Sequence, residues 1–326
     1  MTHPGKVRAL LATARIANVP SVVSNVWVGV VVALLVIEAD YFSWLTAAAL
    51  AFSGICLYIS GNFFNDWYDR DWDSKNRPER ALPQGYFSPK CYFAAGSSLA
   101  VVGVLLAGWV SLIAAGIAIC ILIFIGIYTI VHKKYSWSVV PMGICRALLI
   151  YLGVSWALPN RSLFQPDVIS FMAEPANLQS MLPFAGATSL GLLLHIVGLS
   201  LSARHESKST HTRGINLSSA LFLIVSILPV WPFIFESFNY RGSVEHFVGT
   251  VVYLLWISFC YFKLRSSVGR YVSGLLAGIP LVDWIFLLPL AIGAGWPESP
   301  HDLVSLFLPP AAFLLALLLQ RIAPAT

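Results

Sequence analysis

Apolar residues along this chain gather into long unbroken runs, and polar residues are confined to short gaps between them. The runs fall near 18–38, 43–64, 91–110, 112–131, 138–158, 180–202, 217–235, 246–263, 272–293 and 303–320. Each is about twenty residues, the length an α-helix needs to cross the hydrocarbon core of a bilayer. Backbone groups in lipid must be satisfied within the segment, which a helix does and an isolated strand cannot. The pattern therefore predicts an all-α, polytopic membrane bundle of nine to ten transmembrane helices. The ninth run is the weakest, because it contains Pro280 and Asp283.

Composition and charge agree. Of 326 residues, 58% are hydrophobic and 11% charged, where a soluble domain carries roughly 25% charged residues. If the N-terminus lies on the inner side, that side collects seventeen of the 20 Lys and Arg, leaving Arg161 and Arg241 outside and Arg146 within a run. This asymmetry is the positive-inside signature of an integral, multi-pass protein with its N-terminus and long polar loops on the cytoplasmic side. The net charge of +5 is spread over many short loops, with no basic stripe interleaved with aromatics, so nucleic acid is not an expected partner. The basic N-terminal segment leads into the first run without a small-residue cleavage site, which argues against a cleaved leader. Five isolated cysteines form no CxxC or metal spacing and read as packing residues.

One gap differs from the others. Residues 61–85 read GNFFNDWYDRDWDSKNRPERALPQG and hold five of the six inner acidic residues. If the second run continues as helix beyond Asn65, then Asn62, Asp66, Asp69 and Asp73 fall at i, i+4, i+7 and i+11, on one face. Carboxylates so aligned repel one another, and a hard divalent cation with oxygen ligands resolves the repulsion. Mg²⁺ typically takes one or two carboxylates together with phosphate oxygens. A solvated acidic helix end is the other reading, although neighbouring helices are expected to bury a site at the end of a span. Arg77 and Arg80 then bracket Pro78, and Arg is suited to bidentate phosphate contact. Acids for a metal, followed by cations on a stiffened loop, suit a metal-bound diphosphate at a membrane surface.

NDWYDRDWD resembles the NDxxDxxxD motif of the UbiA superfamily of intramembrane prenyltransferases, and RPERALPQG is similar to the basic segment that follows it there. The resemblance implies a single UbiA-like transmembrane domain over 1–326, with helices around a central cavity capped by two Asp-rich loops. It also implies Mg²⁺ as cofactor and transfer of an isoprenoid chain from a prenyl diphosphate to a lipophilic acceptor among membrane lipids. Carried over, Asn65, Asp66, Asp69 and Asp73 would hold the metal and diphosphate, with Asp69 and Asp73 in the catalytic set. Arg77 and Arg80 would bind substrate.

The second Asp-rich motif of that family is expected after the sixth run, where this chain reads HIVGLSLSARHESKS and has no aspartate. Aligning on Arg204 puts Ala203 and Ser207 at the acidic positions, while aligning on spacing puts Ser202 and Glu206 there. His195, Ser202 and Glu206 share a helical face, so a modified polar site is one reading and ordinary loop residues the other. Glu206 is carried as a catalytic candidate and Arg204 as a substrate-binding one. Tyr128–Lys134 resembles the YxxxK element of the family, with His132 at the nominal Lys position, so Tyr128 would contact substrate and Lys133 would serve the departing diphosphate. Arg146, a charge inside a span, is costly and usually faces a cavity or a partner. It is expected to point into the same cavity, toward an acidic or phosphate group, with Asp283 as one candidate partner, and is carried as a substrate-binding candidate. ARHE in place of the second motif, with MGICR in the fifth run, resembles the EboC-type branch. Two functional readings follow, a Mg²⁺-dependent prenyltransferase or a non-catalytic relative that binds or moves a polyprenyl phosphate or export intermediate.

Overall fold

The computed structural model describes residues 5–36, 42–157, 175–203, 217–235, 244–292 and 299–323. These residues form helices joined by short turns and contain no strand. Nine helical stretches among them are long and apolar enough to cross a membrane, and the chain is an integral, multi-pass membrane protein. The ninth predicted run is one of the nine, at Val268–Ile292. Its Pro280 sits in the first turn of the helix Ile279–Ile292, where the missing N–H costs no intrahelical bond.

The predicted run at 217–235 is interrupted. A helix over Leu217–Val225 gives way to turns at 226–230 before helix resumes at 231–235. Pro229 and Pro232 cannot donate to the carbonyls four residues back. The amides around them tighten instead onto carbonyls three residues back, as in Leu228 to Val225 (3.0 Å) and Val230 to Ile227 (3.2 Å). The segment nonetheless runs the length of the helix Pro175–Ala203. Gly198 meets Ser219 and Gly191 meets Ser226, and Phe184 packs on Phe233, the antiparallel register of two elements side by side. Arg8 Nε donates to the carbonyl of Ile322 (2.9 Å), which joins the first described helix to the end of the last.

The second spanning helix, Trp44–Asn76, has 33 residues and so extends about 50 Å, against about 30 Å of hydrocarbon. Ser43 caps its start by accepting from the Thr46 amide. It ends at Arg77, whose place before Pro78 disfavours the α conformation. The acidic motif therefore rides on helix, as the spacing requires, beyond the apolar part. Ser53 and Ser60 hold this helix to Pro89–Val110 by donating to the carbonyls of Gly103 (2.7 Å) and Gly96 (2.8 Å).

The tightest crossing lies between Val19–Val36 and Val139–Val154. A Cβ on Gly29 would stand 1.9 Å from the Ile150 carbonyl oxygen, and one on Gly153 would stand 2.0 Å from that of Val26. Small residues let helices in lipid approach to backbone contact and gain dispersion energy that apolar lipid tails cannot otherwise supply. This crossing fixes where Asn25 and Arg146, one turn or two away, face each other. Gly153→Val should destabilise the bundle toward the upper end of ~1–3 kcal/mol, lowering the melting temperature in detergent. An unchanged melt would mean that the crossing is not tight.

Candidate functional site

A cavity of about 400 Å³ lies among the helices. Trp44–Asn76 contributes Tyr58, Asn62, Asn65, Asp69 and Asp73, and the loop after it contributes Arg77 and Arg80. Tyr128, His132 and Lys133 come from the end of Leu112–Val131 and the turn beyond. Arg146 enters from Val139–Val154, and Arg15 and Asn18 from the start of the first span. Ser200 and Ala203 close the side formed by Pro175–Ala203.

Asp66, Asp69 and Asp73 are 8%, 5% and 2% exposed, and buried carboxylates require partners. Arg80 supplies one nitrogen to two of them, Asp73 Oδ2 at 2.8 Å and Asp66 Oδ1 at 3.2 Å. Arg15 approaches Asp66 from the other side at 3.9 Å. Asp69 is held by Lys133 Nζ at 3.0 Å and His132 Nε2 at 2.9 Å. The His132 Nδ1 lies 3.0 Å from the Thr129 carbonyl, so both ring nitrogens lie against oxygen atoms. Lys133 also sits over the Trp72 ring at 3.8 Å, a cation–π contact. Tyr128 stacks on His132 with centroids 5.1 Å apart. The repulsion anticipated between the acids is thus offset by cations drawn from three separate segments.

Among the described residues, no three His, Cys, Asp or Glu side chains converge closely enough to hold a metal ion by themselves. The donor set does fit a Mg²⁺ shared with phosphate, since that ion needs one or two carboxylates. Asn65 supports this, because its Oδ1 is buried and has no hydrogen-bond partner. Asn62, at the start of the acidic face, serves differently, donating to the Ala14 carbonyl (3.2 Å) and accepting from Arg15 (3.1 Å). Arg15 itself adopts the left-handed conformation at φ 46° and ψ 51°. Such strain persists in a non-glycine residue only where surrounding contacts hold it.

The helix that precedes the second motif turns away from the cavity the face on which His195 and Ser202 lie. His195 is fully buried, with Nδ1 at 2.9 Å from the Tyr253 hydroxyl and Nε2 at 3.2 Å from the Leu275 carbonyl. Ser202 bonds to Ser219 and to the Gly198 carbonyl. Neither lines the cavity, so the polar face through His195 and Ser202 is a packing face; satisfying a buried imidazole between two helices outweighs presenting it to the cavity. The cavity-facing residues are Ile196, Leu199, Ser200 and Ala203, with apolar Ala203 at one position where an acid was expected. Arg204, Glu206 and Ser207 lie outside the described residues.

Arg146 lines the cavity as expected, but Asp283 reaches it only through an intermediary. Arg146 Nη1 donates to Ser21 Oγ (2.9 Å) and Asn25 Oδ1 (3.2 Å), while Asn25 Nδ2 donates to Asp283 (2.9 Å) and Ser24 also caps that carboxylate. The guanidinium lies over the Tyr58 ring at 5.1 Å. Sequence reasoning missed Arg15, Asn18, Ser21 and Asn25. A signal existed, since Asn18, Ser21 and Asn25 fall at i, i+3 and i+7 on a mostly apolar span. Removing one partner of such a buried pair leaves an uncompensated charge and costs about 3–5 kcal/mol. Arg146→Met should therefore lower the melting temperature sharply, and Arg146→Met with Asp283→Leu should recover most of the loss. Additive losses in the double variant would contradict the coupling.

The family model for the UbiA prenyltransferase family matches residues 26–296. A digeranylgeranylglyceryl phosphate synthase from Natronomonas pharaonis is 30% identical over 150 residues, 45% of this chain and 49% of that protein. One from Methanothrix thermoacetophila is 37% identical over 68 residues, 21% of this chain and 26% of that protein. The chain thus matches about half or less of the length of these curated relatives. In fold it is similar to the apo structure of a UbiA homolog from Aeropyrum pernix K1, with a TM-score of 0.62 at 14% identity over 83% of this chain and 98% of that one. A structure from work on digeranylgeranylglyceryl phosphate synthase in membranes gives a TM-score of 0.55 at 17% identity, over 89% of this chain and 99% of that one.

Proposed function

The chain belongs to the UbiA prenyltransferase family, and from that premise we propose that it transfers an isoprenoid chain from a prenyl diphosphate to a lipophilic acceptor, with Mg²⁺ as cofactor. One observation carries the reading. A buried set of acids and cations stands at the mouth of a cavity lined beyond them largely by apolar and aromatic side chains such as Ile121, Ile125, Leu149 and Tyr58, with Arg146 beside Tyr58. A diphosphate fits the mouth and a hydrocarbon chain fits the wall. By the distribution of Lys and Arg, the mouth faces the cytoplasm.

In this proposal Asn65, Asp66, Asp69 and Asp73 would hold the metal, which supplies charge neutralisation to the diphosphate when bound. Arg77, Arg80 and Lys133 bind the same group and stabilise the negative charge it gathers on leaving. The allylic C–O bond breaks, and the diphosphate departs with the electron pair. The acceptor's nucleophilic atom bonds to the allylic carbon, and the proton it gives up ends on the diphosphate. The rings of Tyr58 and Tyr128 offer their faces to the transient carbocation. From the sequence alone, Glu206 is proposed as a further catalytic group and Arg204 as a substrate-binding one. The two named relatives support prenyl transfer, and geranylgeranyl diphosphate is accordingly the first donor to try.

Non-catalytic binding or transfer of a polyprenyl phosphate is favoured by one observation, Ala203 on the cavity face in place of an acid. Diphosphate release by purified protein, assayed across prenyl diphosphates of increasing length with and without Mg²⁺, separates the readings. Turnover should require Mg²⁺, fall by ~10²–10³-fold in Asp69→Asn and by ~10²-fold in Lys133→Met, and weaken in Glu206→Gln. No turnover with any donor, alongside Asp69-dependent lipid binding, would instead establish the non-catalytic reading.

A further inference from the structure

The Lys- and Arg-rich end of the bundle has two electrostatically different sectors. Around the acidic helix end, cations are interleaved with carboxylates, as in Arg80 with Asp73 (2.8 Å) and Arg70 with Asp71 (3.8 Å). The second sector is formed by the helices Lys6–Thr13, Val268–Ala277 and Pro300–Ile322 and by the π-helical turn Cys260–Leu264. It carries six exposed cations, Lys6, Arg8, Lys263, Arg265, Arg270 and Arg321. Residues 5–15, 260–270 and 314–323 contain no Asp or Glu. Among the described residues, none of the six cations forms an ion pair with a carboxylate. Packing draws three of them together. Gln320 Nε2 donates to the Ser273 carbonyl (2.8 Å), which seats the end of Pro300–Ile322 beside Val268–Ala277. Arg270 stands three residues before Ser273, on the same helix face, and Arg321 directly follows Gln320. Arg8 reaches the same end through its bond to the Ile322 carbonyl, which uses only Nε. Like charges gathered in this way repel, and an anion among them relieves the repulsion.

We propose that Arg8, Arg270 and Arg321, with Lys263 and Arg265 beside them, bind the phosphate headgroup of an anionic phospholipid in the leaflet on this side of the membrane. The apolar surface favours a lipid over a soluble anion. Leu314, Leu318 and Ile322 are exposed at four-residue steps and lead to Arg321. Leu255, Phe259 and Phe262 are likewise exposed and lead to Lys263, and Val7 and Leu10 flank Arg8. Acyl chains lie along these rows while the headgroup meets the cations where the rows end. Guanidinium groups present paired N–H donors to phosphate oxygens, and basic clusters at the ends of membrane helices attract anionic headgroups. A zwitterionic headgroup brings its own cation into the same positive field and binds less well. The site also bears on the cavity. Lys6–Thr13 runs on to Arg15, which stands 3.9 Å from Asp66. A lipid held at Arg8 therefore anchors the segment that delivers Arg15 to the cavity mouth.

The test is native mass spectrometry of the full chain in neutral detergent, titrated with dioleoyl phosphatidylglycerol and, separately, with dioleoyl phosphatidylcholine. Phosphatidylglycerol should bind saturably and at least about ten-fold more tightly than phosphatidylcholine. The triple variant Arg8→Gln, Arg270→Gln and Arg321→Gln should lose that preference. A control that removes as many positive charges elsewhere on the same side, Lys75→Gln, Lys90→Gln and Lys134→Gln, should keep it within about two-fold, because general attraction of lipid to inner-side charge falls with charge count and not with position. Should the triple variant fail to insert, photo-crosslinking of the native chain carries the test. Phosphatidylglycerol bearing a headgroup diazirine should label peptides covering 263–270 and 318–323, and unlabelled phosphatidylglycerol should displace it where phosphatidylcholine and inorganic phosphate do not. Equal affinity for the two lipids, equal loss in the two triple variants, or labelling spread evenly over the inner loops overturns the proposal. Displacement by inorganic phosphate overturns it too, in favour of a soluble anion. Neither readout involves a prenyl diphosphate, so failure here leaves the prenyl-transfer reading standing.

Discussion

Charge balance around three buried carboxylates organises the functional end of this molecule. Asp66, Asp69 and Asp73 project from one helix face into a low-exposure setting, where unpaired they could not remain ionised at tolerable cost. Their partners come from chain segments far apart in sequence: Arg15 before the first span, Arg80 after the second, His132 and Lys133 after the fourth. The electrostatic requirement of one short motif therefore draws three segments together. The cavity mouth is the space they enclose.

The same pairing suits ligand exchange. A diphosphate brings negative charge that competes for Arg80 and Lys133, and a divalent cation brings positive charge that competes for the aspartates. Each ion pair in the ligand-free site thus has a counterpart in the proposed complex, so the site can exchange partners without exposing a bare charge. Buried ion pairs add little net stability because desolvation offsets attraction, which keeps such an exchange energetically accessible. Arg146 and Asp283 form a separate balance deeper in the bundle, relayed by Asn25.

Much of this was legible in the sequence. Ten apolar runs and one-sided Lys and Arg identified the class of fold, and i, i+4, i+7 spacing placed the acids on a helix face that the structure realises. The run at 217–235 was legible as a pass but not as a broken one, because hydropathy averages over Pro229 and Pro232 while hydrogen bonding does not. The two readings of the face through His195 stayed open because helical periodicity says which residues share a face, not which neighbour that face meets; Tyr253 and Leu275, far along the chain, decide it. Arg15 was read only as flanking charge, since no local pattern announces that a left-handed residue will aim a guanidinium at a motif some fifty residues later.

The central claim is that the acidic helix end binds a diphosphate together with a divalent cation. The most direct measurement is the affinity of purified protein for a non-reactive thiolo-diphosphate, taken in Mg²⁺ and in excess chelator, for the native chain and for Asp69→Asn. The account predicts binding at least ten-fold tighter in Mg²⁺ and loss of that enhancement in Asp69→Asn. Equal affinity with and without the metal, or an enhancement that survives Asp69→Asn, would contradict it.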